Sequence, residues 1–228
     1  MTGSLAAATL WITVRRSTER GRRCRDYAVC DPAGKALLAA RAFVWERVIN
    51  ITGADSGQLV LVLRRRLAFP LTGRVDVLSS PGREPRGAVY RSGRFADARG
   101  RTAGRFRDAR SLRARAGEGL LAGLADVLTG AEGSQVSAPN AYVCTIGERP
   151  AGTLAHTALP WPETAMATVE PPALIAATRR LLPERARRFV SRLGRPAGWR
   201  FQREPPLLAV DPLLAIGAAI FMVELSQW

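Results

Sequence analysis

Nine arginines fall between positions 91 and 115, at 91, 94, 99, 101, 105, 107, 110, 113 and 115, and only Asp97 and Asp108 offset them. Guanidinium groups at this density have one evident chemistry: their forked N–H donors match the oxygens of phosphate and carboxylate groups. Residues two apart on a strand share a face, so Arg99 with Arg101, Arg105 with Arg107, and Arg113 with Arg115 are expected to point the same way. Arg64, Arg65 and Arg66 form a second basic cluster, at the end of an apolar strand-like run. The candidate anion- or lipid-binding residues are therefore Arg64, Arg65, Arg66, Arg91, Arg94, Arg99, Arg101, Arg105, Arg107, Arg113 and Arg115. The competing account is a solvated basic surface, because charge runs usually face water.

No other part of the chain assembles a reactive constellation. His156 is the only histidine, and no serine or cysteine sits in a nucleophile-elbow or triad-like context. A general base needs partners within reach, so His156 reads as a strand-end or surface residue. The spaced glycines at 100–104 and 117–123 lack a P-loop lysine and a strand-to-helix context, and turns explain them better. Cys24, Cys30 and Cys144 are odd in number and have no CxxC spacing, which argues against a disulfide framework and against a zinc site. The expectation is a non-enzymatic binding protein with no cofactor and no metal.

Charge narrows the partner class. Across 228 residues the formal charge is +15, and Lys35 is the only lysine, so almost all of the positive charge is arginine. A field of this sign steers the protein toward polyanions such as phospholipid headgroups or nucleic acid without setting its fold. The first eighteen residues carry no basic segment ahead of their short, threonine-broken apolar run. They predict no signal peptide and a cytoplasmic protein, in solution or peripheral to the membrane.

The elements that position these residues are short strands in series. From Leu10 to about Pro160, β-branched and aromatic runs alternate with turns at Asp31–Gly34, Asp55–Gly57, Pro81–Gly82, Gly100 and Gly147. Hairpins repeating in this way predict an antiparallel meander, and closure into a barrel removes its exposed edges. Ten to twelve strands enclose more space than their own side chains fill, because only about eight give an interior that side chains fill alone. Residues 163–195 change texture to a basic amphipathic helical pattern, which Pro183 divides. That segment is expected to cap a barrel end, with a membrane-interface helix as the alternative. The stretch GWRFQREPP then predicts a final strand that delivers the chain to Asp211.

The segment from Pro212 to Val223 carries no charge and no polar face. Asp211 suits an N-cap and Pro212 the first helical position, so a helix is expected to start there. A helix apolar all round must be enclosed by protein or lipid, and twelve uncharged residues fall short of the about 20 a bilayer needs. The expectation is a plug through the barrel, with a tail anchor as the minority reading.

This order resembles the LURP-one-related and phospholipid scramblase families of the tubby C-terminal-like superfamily. The segments that carry the resemblance are DYAVCDPAGKAL (26–37), GQLVLVLRRR (57–66), VDVLSSPGREPRGAVYR (75–91), YVCTIGERPAGTLA (142–155) and the terminal WRFQREPPLLAVDPLLAIGAAIFMVE. The resemblance implies a single domain over 1–228, mainly β: a closed antiparallel barrel of about twelve strands around a central hydrophobic C-terminal helix, with 163–195 as an inserted helical segment. It also implies that Glu224 stands for the acidic residue with which the family's helix commonly closes. Tubby domains bind phosphoinositide headgroups through basic residues, so anionic phospholipid at a membrane surface is the expected partner. The proline-rich leader, the cysteine cluster and the acidic calcium loop of eukaryotic scramblases are absent, and calcium-triggered scrambling is not implied. A nucleic-acid-binding barrel is the second reading and an enzyme of unknown chemistry the third; oligomeric state is left open.

Overall fold

The computed structural model describes residues 5–43, 46–65, 73–80, 83–109, 140–161 and 197–226. Twelve antiparallel strands follow in chain order: β1 (Thr9–Glu19), β2 (Arg22–Cys30), β3 (Ala36–Phe43), β4 (Val48–Gly53), β5 (Leu59–Arg65), β6 (Arg74–Ser79), β7 (Pro85–Tyr90), β8 (Arg94–Asp97), β9 (Thr102–Asp108), β10 (Ala141–Ile146), β11 (Arg149–Ala158) and β12 (Ala197–Arg203). Each pairs with its neighbours in sequence, and β12 returns to pair with β1, so the barrel is closed and has no free edge. The anticipated barrel of about twelve strands is present.

Alternation sets the two faces of the wall. Ile49 and Ile51 on β4, Leu61 and Leu63 on β5, Val75 and Val77 on β6, and Leu10 and Ile12 on β1 are fully buried and project inward. Four of the expected turns lie between strands where the chain bends back. In the β8–β9 turn, Asp97 Oδ1 accepts the backbone N–H groups of Arg99 and Arg101 at 3.0 and 2.9 Å, and Gly100 sits at φ +80°, the left-handed conformation that glycine tolerates. Asp31 Oδ1 does the same for Ala33 and Lys35 in the β2–β3 turn, at 2.9 Å each. The turn expected at Pro81–Gly82 lies outside the described residues, as does the helical segment 163–195.

Two helices occur among the described residues. The short α1 (Pro205–Leu208) was not foreseen: instead of running straight to Asp211, the chain makes one helical turn, with Pro205 at a position where its missing N–H is not needed. The longer helix, α2 (Pro212–Leu225), begins as expected, with Asp211 accepting the Leu213 N–H at 2.9 Å. Every residue from Leu214 to Glu224 is buried. Gly217 lies close against the wall: a Cβ there would stand 3.2 Å from Leu63 and 3.4 Å from Leu61 and Val77. A helix with no polar side is stable here because the strands surround it, and each fully enclosed Leu, Ile, Phe or Val contributes about 1.5–3 kcal/mol relative to exposure. No helix among the described residues is long and apolar enough to cross a membrane.

Candidate functional site

The described arginines divide into three environments. The first is the barrel interior around the last turn of α2. Glu224, 1% exposed, receives Arg25 at 2.9 Å and Arg65 at 3.3 Å, and the Tyr27 hydroxyl donates to its other oxygen. Arg65 was expected on an anion-binding surface; its side chain is instead fully enclosed. Burial, and then repulsion from Arg25, pull its guanidinium down to about 10, which leaves it charged at neutral pH. The inward row explains the correction. Leu61, Leu63 and Arg65 share one parity on β5, as Val29, Tyr27 and Arg25 do on β2, so both arginines continue an apolar row to the end where the acidic residue of α2 waits.

The second environment is the outer wall. On β1–β3, Arg41 is neutralised, bonding Asp26 at 2.5 Å and Glu19 at 2.7 Å, whereas Arg16 and Arg23 are exposed with no ion-pair partner among the described residues. Partial burial raises the Asp26 carboxyl, but hydrogen bonds from Arg41 and Ser17 outweigh it and hold the group below its ordinary range. On β8 and β9 the open arginines stand side by side. Arg94 stands directly opposite Arg105 in the ladder, and Arg107 follows on the same outward face, as the spacing predicted. None of these three has an ion-pair partner among the described residues, and like charges directly opposite one another are unfavourable. Arg94 and Arg74 lie over the Tyr90 ring, 4.3 and 5.7 Å from its centroid. Arg74 also bonds Asp76 at 2.9 Å, and Arg64, exposed on β5, reaches that carboxylate at 3.9 Å. Arg91 is an exposed residue of the β7–β8 turn. Arg66, Arg113 and Arg115 lie outside the described residues.

The third environment is the opposite barrel end, where α2 begins. Arg99 and Arg101 were expected to share a strand face, yet both belong to the β8–β9 turn and line a cavity of about 420 Å3 together with Arg86, Asp97, Asp211, Val210 and Leu214. Arg101 bonds Asp97 at 2.9 Å and Arg86 bonds Asp211 at 3.3 Å. Asp97 is held below its ordinary carboxylate range: desolvation raises it, but the backbone and side-chain hydrogen bonds from Arg101, its charge and the Arg99 backbone N–H together outweigh that effect. Arg99 has no side-chain partner among the described residues, so it is an uncommitted cation at this mouth. Arg86 carries no local signal in the sequence, because its partner lies more than a hundred positions away.

His156 is exposed on β11 with its ring 5.3 Å from that of Trp199, and no carboxylate, serine or cysteine bonds it among the described residues. Cys24, Cys30 and Cys144 are buried thiols, and burial pushes Cys30 up to about 11 and Cys144 to about 12. Among the described residues no group of His, Cys, Asp and Glu is arranged to hold a metal ion. The fold and site thus define a class: a closed twelve-stranded antiparallel barrel, plugged by its own C-terminal helix, with a row of open arginines across β8 and β9 and another at one mouth. No family model, no curated protein and no solved structure matches the chain.

Proposed function

We propose that this protein is a non-enzymatic barrel of the tubby C-terminal-like kind, akin to the LURP-one-related and scramblase families, that binds anionic phospholipid headgroups at a cytoplasmic membrane surface. One observation carries the reading: Arg94 is held directly across from Arg105 with Arg107 beside them, and no described carboxylate neutralises the three. A like-charge pair in register is unfavourable in the free protein and becomes favourable once an anion bridges it. The aromatics favour lipid over nucleic acid. Phe95 and Phe106, the aromatic residues within the basic stretch, are 0% and 2% exposed and face the core, so they offer no platform for base stacking. The sequential order of barrel, Asp-capped apolar helix and closing Glu224 supports the kinship.

Vesicle flotation tests the proposal. Wild-type protein is expected to float with vesicles containing phosphatidylserine and to stay behind with phosphatidylcholine alone. Basic residues near a membrane surface contribute about 1 kcal/mol each, so the triple variant Arg94→Ala, Arg105→Ala, Arg107→Ala should bind roughly a hundredfold more weakly. Equal flotation on both vesicle types, or an unaffected triple variant, sinks the idea. Tighter binding to an oligonucleotide than to anionic vesicles at physiological salt would move the reading to nucleic acid.

A further inference from the structure

We infer that the cavity where α2 enters the barrel is a discrete binding site for one phosphoryl group esterified to a small apolar body, separate from the outer-wall row. The volume of about 420 Å3 falls within the range of small-molecule sites, about 300–1,000 Å3. Its lining has two characters: Val210, Leu214 and Ala103 supply an apolar side, and Arg86, Arg99 and Arg101 a cationic one.

The polar groups are unequally committed. Asp97 accepts two backbone N–H groups from its own turn and the Arg101 side chain. Asp211 accepts the Leu213 N–H and Arg86 Nη1, so the N-terminus of α2 is already capped and is not itself the attraction. Both carboxylates are thereby occupied, whereas Arg99 keeps its whole guanidinium fork, and each of the other two arginines keeps donors beyond those bonded to Asp. Three arginines against two carboxylates leave an excess of one positive charge at this mouth. The donors left over outnumber what the two oxygens of a carboxylate accept, and the several oxygens of a phosphoryl group answer them better. An apolar side next to the donors selects an ester with a short hydrocarbon body over the bare ion.

Hexyl phosphate is the probe, titrated by calorimetry into the full chain, with inorganic phosphate in parallel. The expected result is one saturable site per chain, with hexyl phosphate binding at least tenfold more tightly than inorganic phosphate. Arg99→Ala should weaken hexyl phosphate about tenfold or more, because a hydrogen bond to a charged group is at the strong end of the scale. Arg99 is exposed and its structural bond is made by its backbone, so the alanine variant should fold as wild type, which circular dichroism checks. The outer-wall triple variant should bind hexyl phosphate as wild type does. No saturable binding, an unaffected Arg99→Ala variant, or equal affinity for inorganic phosphate overturns the inference. Flotation on vesicles carrying phosphatidic acid separates the sources. If Arg99→Ala loses flotation, the phosphoryl group is a lipid headgroup; if it loses only free hexyl phosphate, the ligand is a soluble ester. Failure of the outer-wall proposal leaves hexyl phosphate binding intact, so the two can fail independently.

Discussion

The two ends of the barrel use arginine in opposite ways. They lie about 20 Å apart along the 14 residues of α2. At the Glu224 end, Arg25, Arg65 and Tyr27 converge on one buried carboxylate, and the charge is spent on holding the last turn of the plug. At the Asp211 end, the arginines stand in turns and at the strand rim, Asp97 is bound within its own turn, Asp211 by its cap N–H and by Arg86 from β7, and Arg99 is left over. The difference teaches that arginine content alone does not mark a binding surface: Arg64 faces water while its neighbour Arg65 is sealed inside. What separates them is strand parity and the presence of an interior acid.

The largest effect should come from the axis joining the two ends. Ile220→Arg, or Leu214→Arg nearer the mouth, places an unpaired charge inside the barrel, at a cost of several kcal/mol set against a total stability of about 5–15 kcal/mol. Soluble expression and circular dichroism should show no folded protein; a fully stable Ile220→Arg variant would mean that α2 is not the plug. Glu224→Gln comes next, because it removes the buried carboxylate charge that Arg25, Arg65 and Tyr27 share, and should cost about 3–5 kcal/mol in urea unfolding. Replacing Glu224 with Leu and Arg65 with Met together should recover much of that loss, since apolar residues can substitute for a buried pair. At the other end Asp211→Ala removes a cap and a partner of Arg86, so about 1 kcal/mol and a fall of about 2–4 °C in Tm are expected by calorimetry. A larger loss there than at Glu224 would reverse the ranking of the two ends.

On the outer wall, Arg105→Thr relieves the like-charge pair and should shift stability by less than about 0.5 kcal/mol, in the stabilising direction, while weakening vesicle binding. The smallest change expected is with pH. Asp97 has a folded-state pKa below its unfolded value, so as pH falls the unfolded chain takes up the proton first. The stabilisation of the turn is complete above the unfolded value and is lost as pH drops through the folded one. Amide shifts of Arg99 and Arg101 in NMR spectra should therefore hold steady from neutral pH and move only below about pH 3.9. Movement near neutral pH would point to a different group at the mouth.

Much of the wall was legible in the chain because a strand's two-residue period and its Asp and Gly turns are local. Asp31, Asp97 and Gly100 specify bends through their own side-chain bonds or backbone freedom, without distant help. The outward pairing of Arg105 with Arg107 was legible for the same reason. Arg99 and Arg101 were misplaced because the Asp97 turn takes them out of strand geometry before β9 begins. Arg65 was misread because a run of three arginines suggests a surface, although its parity with Leu61 and Leu63 carried the correct signal.

By itself the sequence determined the mainly β meander, the start of the terminal helix at Asp211 and that helix's need for enclosure. These follow from periodicity, capping and the hydrophobic effect acting over a few residues. Only the tertiary structure decided which arginines are buried, which oppose one another and which line a cavity. Arg25, Arg65 and Glu224 are 159 or more positions from helix to strand, and Arg86 and Asp211 are 125 apart. Closing the barrel and threading α2 through it brings these groups within bonding distance, and charge pairing depends on that distance rather than on separation along the chain.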